Sequence, residues 1–490
     1  VPTATPLLTL LNGWSPPTVV VVGDFMLDRY LFGNADRLAP DAPVPVLDVQ
    51  RTDDRPGGAS NVCVCLAALR ARVRAVGIAG DDEPGRALRA ALQTAGVETA
   101  GLAADGDRPT TVKQNLVGLA QHRHPQKMFR LDFEDRTPLP GAAVERMLAA
   151  VDEAIDGAQA VILEDYHKGV CTPELCRGVI ERAHAAGLPV LVDPAAIADY
   201  GRYAGADAIT PNRTEAERAT GLSADDPSAM AARLQAEHGF GHVVLTLDRH
   251  GALLRSPDGV EETLPTRARS VYDVTGAGDV VLATLAAAVA QGAAYADGVR
   301  LANLAAGLEV ERSGVVPIPL EELYLEAMEE AAADRGKVRT LQELVPELAA
   351  HRHRGRTVAF TNGCFDVLHA GHVGYLRSAA ATADLLVVGV NDDQSIRRLK
   401  GPERPVNPLE DRLRVLSELA CVRYVVPFAT DTPLSLIEAV QPSVLVKGAD
   451  YTRDTVVGAS FVEARGGRVE LVPLVEGRST TNILRRIGGG

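Results

Sequence analysis

From residue 18 onward, short aliphatic runs alternate with longer Ala-rich stretches whose apolar positions recur at helical spacing. That alternation predicts a mainly parallel sheet flanked by helices. Val19-Val-Val-Val22, Val161-Ile-Leu163, Val190-Leu-Val192 and Val243-Val-Leu245 are its expected buried strands. They run out at Asp24, Asp165, Asp193 and Thr246, and open α/β sheets bind ligands at the carboxyl ends of their strands. Between Arg108 and Phe133 the pattern turns to polar alternation, in Thr110-Thr-Val-Lys-Gln-Asn-Leu-Val117 and Lys127-Met-Phe-Arg-Leu-Asp132, with a basic tip at His122-Arg-His124. A small antiparallel β flap is expected there.

From about Leu320 to Arg354 the chain is charged and helical, without a strand signal. A domain connection is expected there. Beyond it a fresh α/β series opens: Thr357-Val-Ala-Phe360, Leu385-Leu-Val-Val388, Tyr424-Val-Val426 and Val444-Leu-Val446, four short strands. The expected organisation is one domain over 1–320, a helical linker over 321–354 and a second domain over 355–490.

Composition narrows the field. A chain of 490 residues exceeds one ordinary core, and 46% hydrophobic with 23% charged residues is the balance of a globular protein. A formal charge of -14 argues against non-specific binding to nucleic acid or to an acidic membrane. Anionic substrates must then be held by local basic residues or backbone amides. Cys63, Cys65, Cys171, Cys176, Cys364 and Cys421 lie scattered in apolar segments without paired metal or redox spacing. Free thiols, no apolar run near the ~20 residues that span a bilayer, and no leader pattern predict a cytoplasmic protein.

In Thr275-Gly-Ala-Gly-Asp279 the glycines lead directly into the helical run Val280 to Ala288. Such a turn exposes backbone N–H groups at the positive end of a helix dipole, which suits phosphate and developing negative charge. Asp279 can then take the proton of an attacking sugar hydroxyl while the Ala277 and Gly278 N–H groups hold the phosphoryl oxygens. The competing reading is an ordinary Asp in the first turn of a helix. Company shifts the balance: Asn212 and Glu215 follow the strand end at Thr210, placed for a nucleotide and its Mg²⁺. Asp28 follows the first strand, and Gly57-Gly-Ala-Ser-Asn61 precedes a helix, both suited to sugar hydroxyls.

In this order, Gly57-Gly58, Asn61, Asn212, Glu215 and the terminal GAGD resemble the ribokinase-like (PfkB-type) sugar kinases over roughly residues 15–318. The resemblance implies Asp279 as catalytic base and Gly276 to Gly278 as anion hole. It implies Asn212, Glu215, Thr246 and Gly251 at Mg-ATP, with Glu215 meeting Mg²⁺ through water, and Asp28, Gly57, Gly58 and Asn61 at the sugar. Asp273 is implied either in a monovalent-cation (K⁺) site or as a brace of the loop. Two departures stand out, both bearing on the ATP contacts: the strand-end segment Thr246-Leu-Asp248-Arg-His-Gly251, in which family members often have Gly, and Ala195, where related heptose kinases can carry Lys.

The second motif, Thr361-Asn-Gly-Cys-Phe-Asp366 followed by His369-Ala-Gly-His372, passes from a strand into a helix. Histidines three apart at a helix start share a face, and Gly371 lets a phosphate approach the backbone. Zinc is the rival reading, but no third ligand with suitable spacing accompanies the pair. The stretch resembles the H-x-G-H nucleotidyltransferases, a Rossmann-like group. That implies His369 and His372 at the α-phosphate, with Thr361, Asn362, Gly363, Phe365, Lys400, Lys447, Ser479 and Thr480 around ATP. Lys400 reads equally well as a solvated surface lysine.

The two halves in this order resemble the bifunctional enzymes that phosphorylate D-glycero-β-D-manno-heptose 7-phosphate at O1 and adenylylate heptose 1-phosphate. A substrate already carrying a phosphate needs cations at the sugar site, and the expected flap supplies Arg108, Lys113, His122, Arg123, Lys127 and Arg130. Lys113 and Arg130 are expected to hold the 7-phosphate; a solvated flap of alternating charge is the alternative. Expected partners are small phosphosugars and ATP, with a homodimer formed through the flap, as in similar kinases. Two other readings remain: another sugar kinase fused to a cytidylyltransferase, and a catalytically inactive sensor of sugar or nucleotide.

Overall fold

The run Val19 to Val22 has no exposed surface. Its strand, Thr18–Gly23, lies between two parallel neighbours, Ala160–Glu164 on one side and Arg72–Gly80 on the other. The computed structural model, described over residues 6–119, 125–266, 275–312, 314–449 and 451–473, divides into two units, Val1–Tyr324 and Leu325–Gly490.

The first unit is built on a nine-stranded sheet. Its order is Glu261–Leu264, Ala252–Arg255, His242–Thr246, Ala208–Ile209, Val190–Asp193, Ala160–Glu164, Thr18–Gly23, Arg72–Gly80 and Glu98–Asp105. All pairings are parallel except those made by Ala252–Arg255. Side chains alternate across the sheet. Val20, Val22, Val161 and Leu163 pack with Val144, Leu175 and Leu234 from helices Gly141–Ala154, Pro173–Ala185 and Pro227–His238. The other face receives Ala277–Val289, whose residues Val280 to Ala288 are all buried. Fully burying a Val or Leu contributes roughly 1.5–3 kcal/mol, so this two-sided burial outweighs the modest helix propensity of the valines.

A separate four-stranded sheet has the order Pro45–Gly58, Phe25–Leu38, Thr111–Gly118, Gln126–Phe133. The outer pairings are antiparallel, but Phe25–Leu38 runs parallel to Thr111–Gly118. The expected flap is therefore half of a larger mixed sheet, and Asp28 lies on a lid strand rather than in a loop. The two long strands escape a periodicity search because Gly33, Asn34, Asp36 and the run Arg51 to Arg55 break the apolar alternation. The basic tip at residues 122–124 lies outside the described residues.

In the second unit five parallel strands take the order Tyr424–Phe428, Leu385–Asn391, Val358–Gly363, Val444–Gly448, Arg468–Val472. The last was not among the four expected strands. It is an edge strand of alternating charge, and only Val472 is fully buried. Helix Leu341–His353 sends Leu344 and Leu348 into the same core as Val358 and Phe360. Among the described residues, no helix is long and apolar enough to cross a membrane. All six cysteines are free, four of them buried.

Candidate active sites

Gly276 stands at φ +93° and starts helix Ala277–Val289. A Cβ there would lie 2.9 Å from a methyl of Val315, so both conformation and space call for glycine. The first-turn amides have no intrahelical acceptor and remain for an anion.

Asp279 sits three residues into this turn and is only 5% exposed. Asn61 Nδ2 donates to one carboxylate oxygen at 2.6 Å and the Tyr166 hydroxyl to the other at 2.9 Å. Burial pushes the Asp279 carboxyl up to about 6, against the lowering pull of those two hydrogen bonds and the charge of Lys113. A carboxyl in that range is ionised at neutral pH yet basic enough to accept a proton. Asn61, expected at the sugar, is thus a brace of Asp279.

A cavity of about 380 Å³ reaches Asp279 along the carboxyl ends of the parallel strands, lined also by Asp193, Asn212, Glu215, Thr246, Gly276 and Gly278. Asn212 and Glu215 cap helix Arg213–Thr220 reciprocally: Asn212 Oδ1 accepts from Glu215 N at 3.0 Å, and a Glu215 oxygen accepts from Asn212 N at 2.8 Å. Burial raises the Glu215 carboxyl above its usual range. Gly251 does not line this cavity. Its φ of +91° and the 2.0 Å that would separate a Cβ from the Leu264 carbonyl assign it to the turn before Ala252–Arg255.

A second cavity of about 350 Å³ is lined by Asp28, Lys113, Asn115, Lys127, Arg130 and Thr275. Asp28 stands opposite Lys113 in the parallel register, and Gly57 packs against it: a Cβ at Gly57 would lie 2.8 Å from the Asp28 carboxyl. Gly58 holds φ +52° with the Asp24 carbonyl 2.8 Å from where a Cβ would be. Burial raises Asp28, while Lys113 and then Arg130 oppose the rise. Lys113 Nζ lies 4.5 Å from the centre of the Tyr166 ring. Arg130 is more exposed and already paired with Asp132 at 2.8 Å. Arg108 is not at this cavity; its guanidinium donates to the carbonyls of Asp135, Thr137 and Lys168.

Sequence reasoning passed over Tyr166. It follows the strand end Asp165, and the loop carrying it is shaped by Asp24, which accepts from the amides of Tyr166 at 2.8 Å and Lys168 at 3.0 Å. Its position just past a carboxyl end was the available signal. Asp273 lies outside the described residues.

In the second unit, His369 caps helix Ala370–Ala380, its Nδ1 accepting from His372 N at 3.3 Å. The two imidazoles stack with centroids 3.9 Å apart, and Phe365 meets His372 edge-on at 5.4 Å. Burial, with His369 and Lys400 adding to it, pushes His372 down to about 4, so the ring is neutral at pH 7. Its Nδ1 is buried without a hydrogen-bond partner. Lys447 is buried and donates to Asn362 Oδ1 at 2.5 Å. Thr361 is wholly buried and shares a 2.7 Å hydrogen bond with Tyr375, which also donates to the Val446 carbonyl. It therefore ties two strands together within the unit. Lys400 ends helix Asp393–Lys400, exposed, and Gly363 closes the strand Val358–Gly363.

Sequence reasoning also missed Arg412, which is fully buried. It donates to the carbonyls of Asn407, Cys364 and Asn391 and pairs with Asp393 at 2.7 Å, fixing the loop before His369. Ser479 and Thr480 lie outside the described residues.

A buried carboxylate beneath a glycine turn and a stacked histidine pair at a helix start stand on separate α/β units. Residues 17–323 match the pfkB family of carbohydrate kinases, and residues 360–480 match a cytidylyltransferase-like family. The chain belongs to the family of bifunctional HldE proteins. It is 43% identical to the Bifunctional protein HldE of Trichlorobacter lovleyi over 472 residues, covering 96% of this chain and 95% of that one. To its counterpart in Geobacter sulfurreducens it is 45% identical over 471 residues, again 96% and 95%. The fold of the first unit is that of a putative ribokinase from Agrobacterium tumefaciens, at TM-score 0.52 and 22% identity over 66% of this chain and 99% of the other. Ribokinase of Arabidopsis thaliana gives TM-score 0.51 at 21% identity, over 64% and 99%.

Proposed function

We propose that the chain carries out two steps toward an ADP-activated heptose. The domain 1–320 phosphorylates D-glycero-β-D-manno-heptose 7-phosphate at O1 with ATP, and the domain 355–490 transfers an adenylyl group from ATP to heptose 1-phosphate, with 321–354 as connection. Similarity to bifunctional HldE proteins over nearly the whole chain supports the pairing. The observation that carries the substrate is the second cavity, where Asp28 meets Lys113, Lys127 and Arg130: a hydroxyl partner ringed by cations suits a sugar already phosphorylated at its far end.

In the kinase domain Asp279 takes the proton of the anomeric hydroxyl as its oxygen attacks the γ-phosphorus of ATP. The amides of the Gly276 to Gly278 turn hold the phosphoryl oxygens through the displacement. Asn61 and Tyr166 keep the carboxylate aimed. Mg²⁺ supplies neutralisation of the nucleotide phosphates, and Glu215 and Asn212 in the cavity wall suit a hydrated ion. A K⁺ role for Asp273 belongs to the same reading. In the second domain His369, His372 and Lys447 stabilise the α-phosphate of ATP as the phosphate of the sugar attacks it and pyrophosphate leaves; placement and donors suffice. The reactions belong to the cytoplasm, and the exposed Phe129, Leu131 and Phe133 on the outer lid strand support a homodimer formed through the lid.

The test is product analysis with heptose 7-phosphate and ATP, then heptose 1-phosphate with ATP or CTP. Preference for CTP, or no phosphorylation of the heptose, would replace this reading by the other sugar kinase fused to a cytidylyltransferase.

Two expectations follow from the geometry. Lys113→Ala raises KM for the phosphosugar about tenfold or more with KM for ATP nearly unchanged, and Arg130→Ala does less, because Arg130 is exposed and shares its charge with Asp132. Initial-rate kinetics decide; an unchanged sugar KM removes that residue from the site. The kinase kcat/KM falls roughly tenfold per pH unit below about 6, where Asp279 protonates. A coupled ADP-release assay checks it, and a profile flat down to pH 5 would exclude Asp279 as base.

A further inference from the structure

Arg108 stands three residues before the lid strand Thr111–Gly118, and residues 134–137 follow the neighbouring strand Gln126–Phe133. Its guanidinium joins the two ends: it donates to the carbonyls of Asp135 at 2.6 Å and Thr137 at 3.0 Å. A third acceptor comes from another segment, the Lys168 carbonyl at 2.6 Å. A planar fork of five N–H donors can hold three carbonyls in one fixed geometry, which an ammonium on a flexible stem cannot. Around it the same segments meet again. Lys168 Nζ pairs with Glu134, both largely buried, and Leu139 N donates to the Gly169 carbonyl at 3.0 Å. A Cβ at Gly169 would lie 2.3 Å from the Thr137 carbonyl and 2.7 Å from the guanidinium, so the contact closes only over glycine.

The loop held this way carries Tyr166. On its core side Asp24 accepts from the amides of Tyr166, Lys168 and Val170, at 2.8, 3.0 and 3.3 Å. Arg108 and Glu134 grip the lid side of the same turn. Tyr166 makes two contacts of its own: its hydroxyl donates to Asp279 at 2.9 Å, and its ring centre lies 4.5 Å from Lys113 Nζ. Lys113 belongs to the strand that Arg108 precedes. One side chain therefore fixes both the entrance of that strand and the tyrosine that braces Asp279.

We propose that Arg108 is a positioning residue of the kinase centre. By fastening both roots of the lid strand pair to the Lys168 carbonyl, it sets Tyr166 where its hydroxyl can hold Asp279 in aim. The phosphosugar cavity and the base are coupled through the same tyrosine, which Lys113 and Asp279 both meet. The effect on turnover rests on the kinase reading of Asp279; the anchoring of the loop does not.

The test uses the full chain. Arg108→Ala lowers kcat for heptose phosphorylation about ten- to a hundredfold, the scale of an ångström of misplacement, with KM for ATP unchanged. Adenylyl transfer keeps its wild-type rate, and Arg108→Lys, which retains a donor, recovers part of the kinase loss. In a Tyr166→Phe background, where the hydroxyl contact is already gone, Arg108→Ala adds little. Without any substrate, amide hydrogen exchange over residues 166–170 rises in Arg108→Ala while the strand Thr18–Gly23 stays protected. Where Arg108→Ala does not fold, Arg108→Gln is held to the same criteria. Wild-type kcat in the variant, the full loss repeated in the Tyr166→Phe background, or unchanged exchange over 166–170 overturns the role. A wild type that phosphorylates no heptose, with exchange over 166–170 still raised in the variant, sinks the heptose reading alone.

Discussion

Asp279→Asn lowers kinase turnover about a thousandfold and leaves adenylyl transfer at the wild-type rate. A general base contributes roughly 10² to 10⁴ in rate, and Asp279 is the carboxylate that both Asn61 and Tyr166 hold in place. Asp28 lines the sugar cavity, but it is carried by the lid strand Phe25–Leu38 rather than by the glycine turn. Asparagine keeps the shape: its carbonyl can accept from Asn61 while its amide donates to the Tyr166 oxygen. Folding should not suffer. The raised carboxyl means that stability contributed by Asp279 is present below the usual carboxylate range and is lost as pH rises through about 6. At pH 7 the neutral amide therefore holds or raises the unfolding free energy, by on the order of a few kcal/mol at most, and Tm with it. Paired assays of both reactions with a thermal melt decide the matter. Equal loss of both activities in a folded protein would contradict two independent centres.

The reciprocal result is expected at the other centre. His372→Ala lowers adenylyl transfer by about 10² to 10³ with heptose phosphorylation unchanged, the range for removing one donor from a pre-organised anion site. Because burial holds the free imidazole neutral, His372 acts as a hydrogen-bond donor before it acts as a charge. His372→Gln, which keeps a donor, should recover part of the loss. A pyrophosphate-release assay measures both variants, and a His372→Ala enzyme with wild-type adenylyl transfer would remove the ring from the reaction.

The buried strands were legible because two-sided burial writes itself as uninterrupted aliphatic runs, as in Val19 to Val22. The lid was legible only in part. Its strands have one wet face and carry Gly33, Pro56 and clustered acids, so the signal of a strand dissolves where its side chains meet solvent. Motif residues such as Asp279 and His372 announced themselves through glycine turns at helix starts. Their supports did not. Asn61 was noticed for a different task, and Tyr166 and Arg412 act through contacts with residues 113 and 48 positions away in the chain.

The parallel pairing of Phe25–Leu38 with Thr111–Gly118 reaches further than its hydrogen bonds. Asp28 and Lys113 share a rung of that ladder, with Asp132 on the next strand and Arg130 two positions along it. A slip of one residue would turn Asp28 to the opposite face of the lid from Lys113. The glycine turn and Asp279 are carried by helix Ala277–Val289, which packs on the other sheet. The lid thus works like a removable key on a fixed lock: changes in its alignment would alter which sugar is admitted while leaving intact the machinery that moves the phosphate.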